Sequence, residues 1–283
     1  MGKPTGHHWI TKSYLNGFID PNNKPYIWMY EKGKNIIKQS TPSNICKKKN
    51  YHTIRKPDGS KDSESIENML AQYEDKAVKI LRKIETLQPI TKEEKGYFTF
   101  FIALHRTRIP IYRKKIENQA SDLFNIIRIF QNNYTNNIIS KESLDTDFKD
   151  VFKEKLKQTS LEIYLSETSN IALDIAQLKW SFLTTSGSNK FVTSDNPVYY
   201  HNSVNPNQIS IYNANIEVTF PLTKDTAFLG TRKREEGYYN ANDDLVDIIN
   251  IGTIMSASRF VFASQNTQTL SDLVQKYSNI RPH

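Results

Sequence analysis

The chain of 283 residues contains a single cysteine, Cys46. With no second thiol, an intrachain disulfide and a cysteine-based zinc cluster are both excluded, and a reducing compartment is expected. Cys46 precedes Lys47, Lys48 and Lys49, whose charge favours a thiolate, but a lone cysteine is more commonly inert core material. Glycine and proline are sparse, at 10 and 11, which excludes a collagenous or linker-dominated chain. No run of about 18 apolar residues occurs, so no membrane-spanning helix is expected. The opening residues lack the apolar stretch of a secretion signal. They also carry Gly6 where a myristoylation start needs Ser or Thr. These absences point to a cytoplasmic protein that does not engage a membrane. The phosphate loop, the dinucleotide glycine fingerprint, the HExxH helix and the nucleophile elbow are missing as well.

What is present is bulky and basic. Apolar residues make up 37%, with 14 Phe and 15 Tyr, enough to build a sizeable core over one domain spanning 1–283. Lys and Arg number 38 against 30 Asp and Glu, a net charge of +8. That balance suits a polyanionic partner such as nucleic acid or a nucleotide. The simpler reading is a lysine-rich soluble surface.

Patterning predicts an α+β fold, in which long central helices pack with a mainly antiparallel sheet built from an N-terminal hairpin and C-terminal strands. Residues 8–18 read as a short helix or an extended piece. Tyr26 to Tyr30 alternate like a strand, Glu31-Lys32-Gly33-Lys34 is a turn, and Asn35 to Lys38 return. A helix is expected after Asp62 or Ser63, where Ile66, Leu70, Tyr73, Ala77, Ile80, Leu81 and Ile84 recur at three- and four-residue steps. Thr91-Lys92-Glu93-Glu94 matches a capping box for a second helix, which Pro110 must kink or break. Further helices are expected at 112–132 and 147–168, with a surface loop at 132–149. Strands follow at 179–184, 190–194, 209–212, 217–222 and 226–230. A helix near 241–257, a strand at 259–263 and a helix at 267–278 close the chain.

Two distant segments hold the candidate site residues. His8 begins a Trp9 to Phe18 stretch that no targeting role explains, and its imidazole suits a metal ligand, a proton shuttle or a hydrogen-bonding pin. Asp195 follows the apolar Phe191-Val192, and Asn196-Pro197 stops any strand there, so its carboxylate is pre-positioned for metal or acid/base work. The bland alternative is a carboxylate that accepts local backbone amides. Glu67 and Glu74 lie two turns apart on one helix face, about 10 Å along its axis, and a solvated face is the alternative for them. Arg106 is placed to clamp a phosphate or carboxylate, or else to pair with Glu67 or Glu74 in a structural network. His7, His52 and His201 carry less weight.

Several of these pieces belong to one pattern. His8, Tyr14, Leu15 and Phe18 match a His-x-x-Pro-x-x-Tyr-Leu-x-x-Phe opening, with Thr11 at the place of the proline. Ile66-Glu67, Tyr73-Glu74, Arg106-Thr107-Arg108, Trp180, the Phe191 to Val198 segment, Phe220-Pro221-Leu222 and Arg259 to Phe262 continue it. Taken together, the chain resembles a bacterial family known as domain of unknown function 4238. The resemblance covers nearly the whole chain and implies one domain, and the family brings no established activity.

The leading functional expectation is a metal-dependent phosphodiesterase or nuclease acting on nucleic acid or a nucleotide. His8, Glu67, Glu74 and Asp195 form a mixed N/O shell suited to Mg²⁺ or Mn²⁺. Asp195, His8 and Glu74 then carry the chemistry, and Arg106 stabilises phosphoryl oxygens. The alternative is a non-catalytic ligand-binding or toxin/defence module whose polar cluster is structural or senses an anionic ligand. Nucleic-acid binding without cleavage is a third reading. Convergence of the four groups in an open cleft favours a site, and a sealed ion-pair network favours structure.

Overall fold

The computed structural model describes residues 6–55, 60–62, 64–119, 122, 166–202, 204–205 and 209–280. The expected loop at 132–149 and most of the helices expected at 112–132 and 147–168 lie outside these residues.

The chain opens with β1 (Gly6–His8) and a one-turn helix α1 (Lys12–Leu15), followed by the hairpin β2 (Ile27–Glu31) and β3 (Ile36–Ser40). β4 (Lys47–Lys49) returns to pair antiparallel with β1, setting His7 opposite Lys48 and His8 opposite Lys47. The two-residue strands β5 (Ile54–Arg55) and β6 (Lys61–Asp62) pair with each other. Two long helices follow, α2 (Ser65–Glu85) and α3 (Lys92–Thr107). Residues 110–119 form α4 and residues 166–176 form α5. The C-terminal half contributes β7 (Lys179–Thr184), β8 (Thr193–Ser194), β9 (Tyr199–Asn202), β10 (Ile216–Pro221), β11 (Thr226–Thr231) and β12 (Gly237–Asn240). It ends with α6 (Asp243–Ser256), β13 (Phe260–Ala263) and α7 (Gln268–Lys276).

Two larger sheets result. One runs β12-β7-β11-β10-β9, and the other runs β3-β2-β13-β8. The second joins the N-terminal hairpin to C-terminal strands, as the sequence pattern predicts. Among the described strands the β12–β7 pair is parallel, and the other pairs are antiparallel. The fold is α+β.

Local chemistry explains most of these boundaries. The capping box at α3 is formed on both sides: Glu94 N–H donates to Thr91 Oγ1 at 3.2 Å, and Thr91 N–H donates to Glu94 Oε2 at 2.8 Å. Pro110 sits in the first turn of α4, where its missing N–H costs nothing. Thr11 caps α1 by accepting the Tyr14 N–H at 3.2 Å, with φ of −68°. Proline fixes nearly the same φ, so the threonine keeps the backbone bend of the family pattern and adds a cap.

Three expectations shift. Residues 209–212 form a turn closed by Asn213 N–H to Ser210 O at 3.0 Å, with Ile209 and Tyr212 exposed. Their alternation is real, but no sheet edge pairs with it. Of 190–194 only Thr193–Ser194 is strand, because the Phe191 N–H goes to Lys224 O and the Val192 N–H to the Asn250 side chain. β9 and β12 escape sequence reading because they are half-exposed edge strands without apolar alternation.

The main core gathers Ile10, Leu15 and Phe18 with faces of α2, α3 and the five-stranded sheet. Tyr14 stands at its centre. Its ring stacks on Phe220 with centroids 5.0 Å apart, and its hydroxyl contacts Thr193 Oγ1 and donates to Pro221 O, both at 2.7 Å. The opening segment, β8 and β10 therefore share one buried oxygen. Replacing Tyr14 with Phe strands both partners and is expected to cost about 1–3 kcal/mol. Urea unfolding measures this, and an unchanged midpoint would contradict the role.

Candidate functional site

A hollow of about 220 Å³ opens between the start of the chain and α2. His8, Thr11, Lys12 and Ser13 line one side, and Glu67, Ala71, Glu74 and Asp75 line the other, with Arg108 between them. The α2 residues follow at +4, +7 and +8, so they share one helix face. The small Ala71 leaves the space between the carboxylates open.

Arg108, just past the end of α3, builds the back wall. It is buried, its Nε–H donates to Trp9 O at 2.9 Å, and its Nη1 pairs with Glu74 Oε1 at 3.0 Å. Its carbonyl accepts the Tyr51 hydroxyl at 2.9 Å. The Glu74 carboxylate offsets this buried cation, and breaking one side of such a pair costs more than the pair contributes.

Next to the hollow lies a histidine cluster. His7 and His52 are each 2% exposed, and their rings stack with centroids 5.7 Å apart. The His52 backbone N–H donates to His7 Nδ1 at 2.8 Å, which places the neutral His7 proton on Nε2. The His8 backbone favours a proton on the His52 ring, and the Ser43 and Pro42 backbones favour one on the His8 ring, but burial outweighs them. The Nε2 atoms of His7, His8 and His52 are all buried without a partner. Burial holds His7 and His8 below the usual imidazole range and His52 well below it, so all three are neutral at pH 7. Burial raises the Glu67 carboxyl, with Arg108 opposing.

Unmet hydrogen bonding concentrates here. Ten buried side-chain polar atoms among the described residues have no partner, and six belong to His7, His8, Trp9, His52, Thr53 and Glu67. Each such atom costs about 1–3 kcal/mol when dry, so this corner carries an unusual share of the fold's unmet polarity. Glu67 Oε1 lies 3.8 Å from His52 Nε2 and 3.9 Å from His7 Nδ1, beyond hydrogen-bond length.

The structure brings together His8, Glu67 and Glu74 and places Arg106 and Asp195 elsewhere. The Arg106 guanidinium sits 5.3 Å from the Tyr200 ring centroid. Arg108 takes the place in the hollow that was expected for Arg106. Two residues along a helix amount to about 200° of rotation, so the pair faces opposite sides. Asp195 is buried beside β13: Oδ1 accepts the Ser258 N–H at 2.8 Å, and Oδ2 accepts those of Arg259 and Phe260 at 3.0 and 3.2 Å. Amides more than 60 residues away, rather than local ones, occupy this carboxylate. Asn196 continues the clamp, donating Nδ2–H to Ser256 O at 2.8 Å and accepting the Ser256 hydroxyl at its carbonyl at 2.6 Å.

The expected Mg²⁺ or Mn²⁺ centre on His8, Glu67, Glu74 and Asp195 is corrected. Among the described residues no group of three or more His, Cys, Asp or Glu is placed to hold a metal ion. The reason is geometric, since Asp195 is consumed by three amides and Glu74 by Arg108. The sequence reading undervalued His7, His52 and Arg108. The Tyr51-His52 and His7-His8 doublets were the only available signal, and strand pairing across 40 residues is invisible without coordinates.

A family model described as a protein of unknown function (DUF4238) matches residues 6–267, and the chain belongs to that family. No curated protein and no solved structure matches it. Among the described residues no helix is long and apolar enough to cross a membrane.

Burial pushes the Asp195 carboxyl up from 3.8 to about 6, against the pull of its three amide donors. The folded state therefore keeps a proton that the unfolded chain releases. The resulting stability is full below the unfolded value and is lost as pH rises through the folded one. Relative to Asp195→Asn, the wild type should gain about 1.4 kcal/mol between pH 7 and pH 5. Urea unfolding of both proteins at the two pH values checks the sign, and a gain in the opposite direction would contradict it.

Proposed function

We propose that this DUF4238 chain is a ligand-binding module, and that the hollow between α2 and the chain start recognises a small polar molecule without turning it over. The observation that carries the reading is the hollow itself, of about 220 Å³, walled by His8, Lys12 and the partly exposed Glu67 and Glu74 carboxylates around the buried Arg108. Polar groups converging on one cavity are what recognition of a small polar molecule requires. The surrounding groups are rigidly held, which suits recognition: Arg108 is fixed by Trp9 and Glu74, and β1 is fixed to β4. A sensing role in a bacterial defence or stress system fits recognition without turnover, and a cytoplasmic setting fits the free, buried Cys46.

Of the sequence-based expectations, the phosphodiesterase reading needs an acid, a base and a phosphoryl clamp in one place. Asp195 and Arg106 do not line the hollow. The Arg108 Nη1 that does is engaged by a carboxylate.

The test is a thermal-shift screen of small polar metabolites on the full-length protein. A ligand at 100 times its Kd adds about 2.7 kcal/mol, or roughly 5 °C in Tm. His8→Phe, which fills the hollow, should abolish the shift while leaving the unliganded Tm close to that of the wild type. Hydrolysis of RNA or DNA that is lost in His8→Phe would overturn the reading in favour of catalysis.

A further inference from the structure

We propose that His7 is the pin of an acid-sensitive latch, which holds His52 against the start of the chain at neutral pH and releases it on mild acidification. The device does not depend on what the hollow binds.

One hydrogen bond ties the two segments together. The His52 N–H donates to His7 Nδ1 at 2.8 Å, so the Nδ1 lone pair is the fastening. A protonated imidazole carries hydrogen on both nitrogens. The neutral ring already has its hydrogen on Nε2, and an incoming proton must therefore take Nδ1. There it points at the His52 N–H, and the bond is lost. Both rings are buried and stacked, with an interplanar angle of 8°, so water does not reach the new charge until the segments part.

The surrounding charge acts in the same direction. Lys48 on β4 stands opposite His7 in the strand register, and Lys47 stands opposite His8. The Arg108 and Arg113 guanidiniums both act on His52. Two carboxylates nearby are already engaged, Glu74 by Arg108 and Glu117 by Arg113. Among the described residues only Glu67 brings a carboxylate within 4 Å of the two rings, at 3.9 Å from His7 Nδ1 and 3.8 Å from His52 Nε2. One carboxylate balances one imidazolium, not two. Burial lowers both imidazoles and raises Glu67, so acid adds cations here while it removes the balancing anion.

The sign follows from linkage. An imidazole held below its unfolded value, about 6.5, contributes stability above that pH and loses it as pH falls. Tyr51 does not titrate in this range, since burial pushes its hydroxyl up to about 12. Its hydroxyl stays on Arg108 O and its carbonyl on Arg113, so the movement pivots at Tyr51 and carries His52 away. His8 follows His7 on β1 and lines the hollow, so the latch also sets that wall.

The experiment is amide hydrogen exchange on the full-length protein at pH 7.5 and 5.0, expressed as protection factors, with the imidazole ¹H–¹³C resonances recorded in the same samples. Protection of the His52 amide should fall by about tenfold or more at pH 5.0, while that of the buried Val246 on α6 does not fall. The His7 ring should titrate together with that loss. His7→Asn keeps a side-chain carbonyl to accept the same N–H but carries no titrating group, and should retain most of the His52 protection at pH 5.0. If His7→Asn fails to fold, the shared midpoint of ring titration and protection loss decides. Protection of His52 that is unchanged at pH 5.0, or that falls only in step with Val246, would overturn the latch. So would a loss in His7→Asn as large as in the wild type, or a His7 ring that titrates while the His52 amide stays protected.

Discussion

The buried guanidinium of Arg108 is the contact on which the site depends. It joins the end of α3 to the Trp9 carbonyl and to Glu74 on α2, and its own carbonyl receives Tyr51. Three stretches far apart in sequence meet at one side chain. That cation fixes the Trp9 carbonyl opposite the acidic face of α2, beside the core that already packs Ile10 and Leu15 on this helix. The hollow is the space that remains between them. Lysine could not do the same, because one ammonium lacks the planar fork that reaches a carbonyl and a carboxylate together.

Beside this anchor the protein keeps an unusual set of imidazoles neutral and incompletely bonded. The His52 backbone N–H, donating to His7 Nδ1, puts the neutral His7 proton on Nε2. His105 is a useful contrast. It is fully buried among Tyr14, Phe101 and Phe220, bonds the Phe101 carbonyl at 2.9 Å, and is driven down to about 3. An imidazole caged by aromatic rings is core material, whereas His7 and His52 lie within 4 Å of the Glu67 carboxylate.

Sequence reading recovered the regular parts. The 3.6-residue stripe of α2, the capping box of α3, the hairpin and the switch to short strands from residue 179 were legible because each is a local pattern. Edge strands such as Tyr199 to Asn202 were not, because half-exposed residues leave no alternation to read. The site was half legible. His8, Glu67 and Glu74 could be singled out by type and helical spacing, but the choice between Arg106 and Arg108 depends on helix rotation and on what packs against it. Asp195 shows the opposite error. A carboxylate after an apolar stretch looked available for chemistry, yet the chain supplies it with the amides of 258–260 at the entry to β13. The most distinctive segment of the family pattern is thus a clamp between β8, α6 and β13.

The central claim is that the imidazoles of His7, His8 and His52 are held neutral beside Glu67, with the His7 proton on Nε2. Long-range ¹H–¹⁵N correlation of the imidazoles at pH 7 reads the protonation state of each nitrogen directly. The account predicts neutral rings for all three, with His7 protonated on Nε2 and bare at Nδ1. Imidazolium signals from His52, showing it ion-paired with Glu67, would contradict it.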